Sequence, residues 1–149
     1  MKPLAENRKA RFDYQILETF EAGIVLEGHE VKSIKLGRAS LGGSYVIIKN
    51  KEVFLLNANV SPYQPKNTPN NYDRTRTRKL LLNKKEINYL IGKSQQKGLT
   101  LIPLKLYTRE GKIKLEFGVA KGTKRFNKKE IIRKKDIERE IDRELKTRG

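Results

Sequence analysis

The alternation of apolar and polar positions is clearest around residue 115. Ile113, Leu115 and Phe117 fall on one side of an extended chain, with Lys112, Lys114 and Glu116 on the other. Successive strand side chains point to opposite faces, so this run is a half-buried strand. Together with LTLIPLKLYT before it and a turn at Glu110 and Gly111, KIKLEFGVA predicts a hairpin. A second hairpin is predicted from Ser44 to Val60, where SYVIIK and EVFLLNANV flank a turn at Asn50 and Lys51. Phe12 to Leu26 is rich in aromatic and β-branched residues and predicts another strand, with Gly23 as its bulge or bend.

Two helices punctuate these strands. Gly28 to Leu36 (GHEVKSIKL) reads as a short helix stopped by Gly37, with Val31, Ile34 and Leu36 facing inward. Asn83 caps a second helix that runs through Glu86, Ile87, Leu90, Ile91 and Ser94 to Lys97. Glu86 stands at the capping-box position and Gly98 ends the helix. Ser61 to Asp73, with Pro62, Pro65 and Pro69, reads as a loop. About six strands and two short helices predict a mainly β fold, a closed antiparallel OB-like barrel with two or three short flanking helices over residues 1–122.

Beyond Thr123 the pattern changes. Lysine, arginine and glutamate dominate as far as Arg148, and Ile137, Ile141 and Leu145 recur every four residues. Asp142–Lys146 and Glu144–Arg148 have helical ion-pair spacing. An apolar stripe one residue wide cannot hold an isolated helix firmly. Residues 123–149 are therefore expected to form a flexible basic tail, disordered when free and helical on a partner. The alternative is a helix docked permanently on the barrel.

Charge narrows the class of partner. The 149 residues carry 34 Lys and Arg against 17 Asp and Glu, a formal net charge of +17. A compact chain with that much self-repulsion is suited to a polyanion: RNA, DNA or an anionic membrane surface. No apolar run approaches the roughly 20 residues of a spanning helix, so membrane is the weakest of the three. Without cysteine there is no disulfide, thiolate nucleophile or cysteine-ligated zinc. The absence of a secretory leader points to the cytoplasm.

Arg74, Arg76 and Arg78 alternate with Thr75 and Thr77 ahead of Lys79, Leu80, Leu81 and Leu82. If the segment is extended, three guanidiniums line one face about 6.6 Å apart, anchored by a buried leucine triplet, as a rail for a phosphate backbone. The competing reading is a solvated edge strand. Asn7, Arg8, Lys9 and Arg11, then Lys32 and Lys35 on one helical face, and Lys121, Lys124 and Arg125 extend the basic set. Tyr63, Tyr72 and Phe126 are candidates for base stacking. Catalysis finds little support. His29 is the one histidine, and GRASLGG lacks the lysine of a phosphate-binding loop. The sequence suggests no metal site and no cofactor. Two rivals to an RNA-delivery role are a ribosomal or initiation-type OB protein and a metal-independent nuclease using His29 with Glu27 or Glu30.

Five blocks, in order, carry a resemblance: NRKARFDY (Asn7 to Tyr14), TFEAGIVLEGHEVKS (Thr19 to Ser33), RTRKLLLNKKEI (Arg76 to Ile87), KGLTLIPLKLY (Lys97 to Tyr107) and VAKGTKR (Val119 to Arg125). They closely resemble the SsrA-binding protein family, small protein B, the partner of transfer-messenger RNA. The resemblance implies an OB-like barrel that grips the tRNA-like part of that RNA and delivers it to stalled ribosomes for trans-translation. It implies RNA contacts at Glu21, Leu81 and Asn83. It also implies that a tail probes the decoding centre and the empty mRNA channel. The family's His-Asp-Lys-Arg motif corresponds here to Phe126, Asn127, Lys128 and Lys129, which keeps a flat ring and two charges but loses the acid. Arg133, Lys134, Arg139 and Arg143 continue the cationic tail. Further implied are a monomer acting on alanyl-charged RNA with elongation factor Tu.

Overall fold

Both predicted hairpins form, each through a turn that holds one residue, Asn50 or Gly111, suited to the left-handed backbone conformation. The structure, a computed structural model, describes residues 3–64, 66, 71–122, 139, 141 and 143. Strand β4 (Tyr45–Lys49) turns into β5 (Glu52–Leu56) through Asn50 and Lys51, with φ of 52° and 61°. Positive φ at both central residues matches the twist of the flanking strands. Strand β8 (Leu99–Arg109) turns into β9 (Lys112–Gly122) through Glu110 and Gly111, with φ of 52° and 77°.

The other strands are β1 (Ala5–Glu6), β2 (Tyr14–Ile24), β3 (Ala39–Ser40), β6 (Asn59–Val60) and β7 (Arg78–Leu81). The helices are α1 (Arg8–Asp13), α2 (Gly28–Lys35) and α3 (Lys84–Ser94). The main sheet runs β1-β8-β4-β5-β7-β2-β9, and β9 pairs with β8, so the hydrogen-bonded order returns on itself. Every pairing is antiparallel, and β3 and β6 form a separate two-stranded sheet. The described residues are mainly β, with helices α1, α2 and α3 between the strands.

Helix α1 departs from the expected strand start at Phe12. Asn7 caps it: the side-chain oxygen accepts from Ala10 N at 3.3 Å, and its Nδ2 donates to Pro103 O at 3.0 Å. Phe12 consequently stands 90% exposed on a helix rather than in a strand. The bulge in β2 also lies elsewhere than Gly23. The β2–β9 register shifts between Ile16 and Glu18, and Gly23 continues the ladder opposite Lys114 and Leu81. Leu36, expected inward, is exposed, and of the leucine triplet Leu80 is buried while Leu81 is 53% exposed.

The core comes in two parts. Ile113, Leu115 and Phe117 point inward as expected, joining Val46, Leu55, Leu101 and Ile34 of α2. A second cluster gathers Tyr45, Ile47, Phe54, Leu56, Ile102 and Leu104 with Ala10 of α1 and Ile141. These are the alternate residues of β4, β5 and β8, so both faces of those strands are covered. That is why VII, VFLL and LIPL read as unbroken apolar runs. Ile141 is 2% exposed, whereas Arg139 and Arg143 are exposed. The expectation of a tail disordered when free otherwise lies outside the described residues.

Candidate nucleic-acid interface

The arginine ladder does not form a rail. Asp73 makes a side-chain turn, accepting from the Thr75 N–H at 2.9 Å and its hydroxyl at 3.0 Å, and its carbonyl accepts from Arg76 N at 3.2 Å. The chain is therefore turned at Arg74 and Thr75 and becomes a strand only at Arg78. Arg74 is exposed, Arg76 is half-buried and Arg78 is 1% exposed.

What draws Arg78 inward is Glu30, itself fully buried on α2. Arg78 donates to Glu30 Oε2 from Nε at 2.9 Å and from Nη2 at 2.5 Å. Its remaining hydrogens reach the carbonyls of Ala58, Arg76 and Arg74 at 2.8, 3.2 and 3.1 Å. Arg76 donates to Glu30 Oε2 from Nε at 3.1 Å and also grips Oε1. The Tyr72 hydroxyl, with one hydrogen to donate, lies 2.9 Å from Glu30 Oε2 and 3.0 Å from Val60 O. Burial by itself would raise the Glu30 carboxyl. Hydrogen bonds from Arg76, the Glu27 backbone and Arg78 outweigh it and lower the group to about 2. Burial and the bond to Glu30 push the Tyr72 phenol up to about 12. Tyr72 and Arg78 thus serve this buried network rather than offering a free ring and a free cation. Glu30, which sequence reasoning weighed only as a nuclease acid, is its centre. The available signal was its place in a capping box, since Glu27 N donates to Glu30 Oε1 at 2.9 Å.

His29 lies 2.5 Å from Glu27 Oε2 and packs edge-on against Tyr72, with ring centroids 4.8 Å apart. Glu30 points instead to the arginines. Among the described residues no group of three or more His, Cys, Asp or Glu is placed to hold a metal. No helix among them is long and apolar enough to cross a membrane.

Other expected contacts divide by exposure. Asn7 is buried and spent on capping α1, so its amide is not free for a phosphate. Arg8, Lys9 and Arg11 are exposed on α1, Arg8 lying 3.6 Å from Glu6. Lys32 and Lys35 are exposed on α2, and Lys32 Nζ sits 5.5 Å from the centre of the Tyr63 ring. Lys79 is exposed 3.5 Å from Glu52, and Lys121 is exposed near the end of β9. Lys124, Arg125, Phe126, Asn127, Lys128, Lys129, Arg133 and Lys134 lie outside the described residues.

Strand pairing sets Leu81 of β7 beside β2, the strand that carries Glu21. Gly23 pairs with Leu81, and its absent side chain leaves room there, since a Cβ at Gly23 would stand 3.3 Å from that of Leu81. Glu21 lies two residues before Gly23 on the same face. The pairing stops at Leu81, the last residue of β7, and Asn83 stands two residues further on as the N-cap of α3. Asn83 Oδ1 accepts from Glu86 N at 2.8 Å and caps α3. Glu21 Oε2 accepts from the Tyr107 hydroxyl and forms an ion pair with Arg109, whose Nη1 lies 3.0 Å away. Neither Tyr107 nor Arg109 was expected as a site residue. Together the face offers a carboxylate, an exposed apolar side chain and a helix start, the means to meet a base or ribose as well as a phosphate.

Relatives agree over nearly the whole chain. The chain is 56% identical over 143 residues to the SsrA-binding protein of Acetivibrio thermocellus, covering 96% of this chain and 92% of that one. It is 52% identical over 147 residues to the SsrA-binding protein of Shouchella clausii, covering 99% and 94%. Among solved structures, it resembles a chain described under "tmRNA-SmpB: a journey to the center of the bacterial ribosome", with a TM-score of 0.66 and 48% identity, covering 86% of this chain and 93% of that one. A family model described as SmpB protein matches residues 4–147. The chain belongs to the SmpB protein family.

Proposed function

We propose that this protein binds the tRNA-like domain of transfer-messenger RNA and delivers it to stalled ribosomes for trans-translation. The observation that carries this reading is the family match over residues 4–147, joined to the pairing that sets Leu81 beside the strand carrying Glu21. Residues 1–122 act as the RNA-binding unit, a closed OB-like barrel. Glu21, Leu81 and Asn83 contact the folded RNA, while Arg8, Lys9, Arg11, Lys32, Lys35, Arg74, Lys79 and Lys121 attract its backbone. Arg76 and Arg78 support that surface from within through Glu30.

Residues 123–149 act as the probe. In the decoding centre Phe126 stacks and Lys128 and Lys129 meet phosphate, while Asn127 supplies an amide in place of the family's acid. Arg133, Lys134, Arg139 and Arg143 follow the empty mRNA channel. An intact message would fill that channel and exclude the tail, so selection for stalled ribosomes follows from sterics and charge. The protein acts in the cytoplasm as a monomer, on alanyl-charged RNA with elongation factor Tu, and contributes binding rather than a chemical step.

The identity of RNA that copurifies at moderate salt tests the first half, because weak unspecific binding is lost there. One species with a tRNA-like end is expected; bulk ribosomal RNA would overturn the reading. The second half is tested by truncation after Gly122. Transfer-messenger RNA binding is expected to persist while tagging of stalled products is lost, and joint loss of both in a chain that still melts cooperatively would refute the division.

A further inference from the structure

Glu21 stands in an outward row of charges across β2, β9 and β8. The register sets it directly opposite Glu116, and like charges so placed repel. Each carboxylate is answered from β8. Lys105 Nζ lies 3.5 Å from Glu116 Oε2, and Arg109 Nη1 lies 3.0 Å from Glu21 Oε2. Tyr107, between those two cations, donates its hydroxyl to the same Glu21 oxygen. The two acids and two bases balance within this row, and Lys114, opposite Tyr107 on β9, adds one cation beside them. Its two carboxylates set this patch apart from the purely cationic faces of the protein. It is suited to directional hydrogen bonding.

The Tyr107 ring is 8% exposed and lies beneath Lys105, whose Nζ is 5.5 Å from the ring centre. Burial, then the bond to Glu21, raises the phenol above its ordinary range, so the hydroxyl remains a donor and the carboxylate the acceptor. Both contacts fall on Oε2, and the Glu21 side chain is 30% exposed. A carboxylate has about four acceptor positions. Oε1 carries neither of these bonds.

We infer that Tyr107 and Arg109 are positioning residues for RNA recognition: they hold Glu21 by Oε2 and present Oε1 to a base amino or imino group or a ribose hydroxyl. The inference rests on the proposed Glu21–RNA contact. An unheld glutamate must lose the freedom of its side-chain torsions when RNA arrives. Held in advance from a strand of the sheet, it loses less on binding.

The test uses the full-length protein and transfer-messenger RNA, with dissociation constants measured for the unaltered chain, Y107F, R109Q, E21A, and the doubles Y107F/E21A and R109Q/E21A. Y107F is expected to weaken binding about five- to tenfold, within the cost of ordering one side chain at an interface. It should leave the salt slope and the affinity for a random single-stranded RNA unchanged, readouts that a general loss of structure would move. R109Q, at a side chain 57% exposed, tests the same orientation without disturbing buried packing. In the E21A background both substitutions should add nothing. If E21A weakens binding while Y107F and R109Q do not, the positioning role is overturned and the Glu21 contact stands. Losses that multiply in the doubles overturn it as well. E21A without effect overturns both the positioning role and the Glu21 contact beneath it.

Discussion

A carboxylate as deeply buried as Glu30 is tolerated only because two guanidiniums and a phenol converge on it. Glu30→Ala would leave Arg78 charged and enclosed. We expect a loss of about 3–5 kcal/mol in a denaturant titration, as for other broken buried pairs. The group's pKa is depressed from 4.5 to about 2, so the unfolded chain takes up its proton first as pH falls. The stability Glu30 contributes is complete above about 4.5 and declines toward 2. Acid unfolding of the unaltered protein should therefore steepen in that window, and Glu30→Gln should flatten it. Arg78 and Lys79 are neighbours in sequence and opposite in fate, one buried and one exposed. Alternation told that they face opposite ways, but only the presence of Glu30 across 48 residues decided which faced in. Lys121→Ala should accordingly lower the salt slope of RNA binding by about 0.7–0.9, the share of one phosphate contact.

At the scale of elements, caps and turns were the most legible parts, because their chemistry is local. The Asn83–Glu86 capping box lies where the sequence put it. Asn83→Ala should cost about 1 kcal/mol in thermal or denaturant unfolding. Asn83→Ser keeps an oxygen that can cap the helix. Restored stability with RNA binding still weakened would separate the amide's contact from its cap. Helix α1 escaped sequence reading because six residues give too little periodicity, and its cap is secured partly by Pro103 on a distant strand. The bulge was placed at Gly23 for a similar reason: a glycine signals irregularity, but its facing strand says where. At Gly118 a Cβ would stand 2.9 Å from Ile16 Cγ2 and 3.0 Å from Glu18 O, against the strand that shifts there. Gly118→Ala should destabilise the protein by about 1–3 kcal/mol, read as a lowered melting temperature.

For the molecule as a whole, the net charge of +17 requires that affinity for RNA fall with salt, with log K linear in log salt concentration. Sequence alone determined this property, the mainly β character, both long hairpins, helices α2 and α3 and the Asn83 cap, since each depends on residue type, period two or chemistry within a few positions. The family's motifs, read from the same chain, singled out Glu21, Leu81 and Asn83. Tertiary structure decided which charges are spent inside and which are free. It enclosed Arg78, turned Leu81 outward, paired its strand with the one that carries Glu21 and set Tyr107 and Arg109 against that carboxylate. It also covered the second face of β4, β5 and β8 with Ala10 and Ile141. The reason is common to all of these: desolvation and cross-strand register depend on partners tens of residues away, and no local pattern in the chain records which partner arrives.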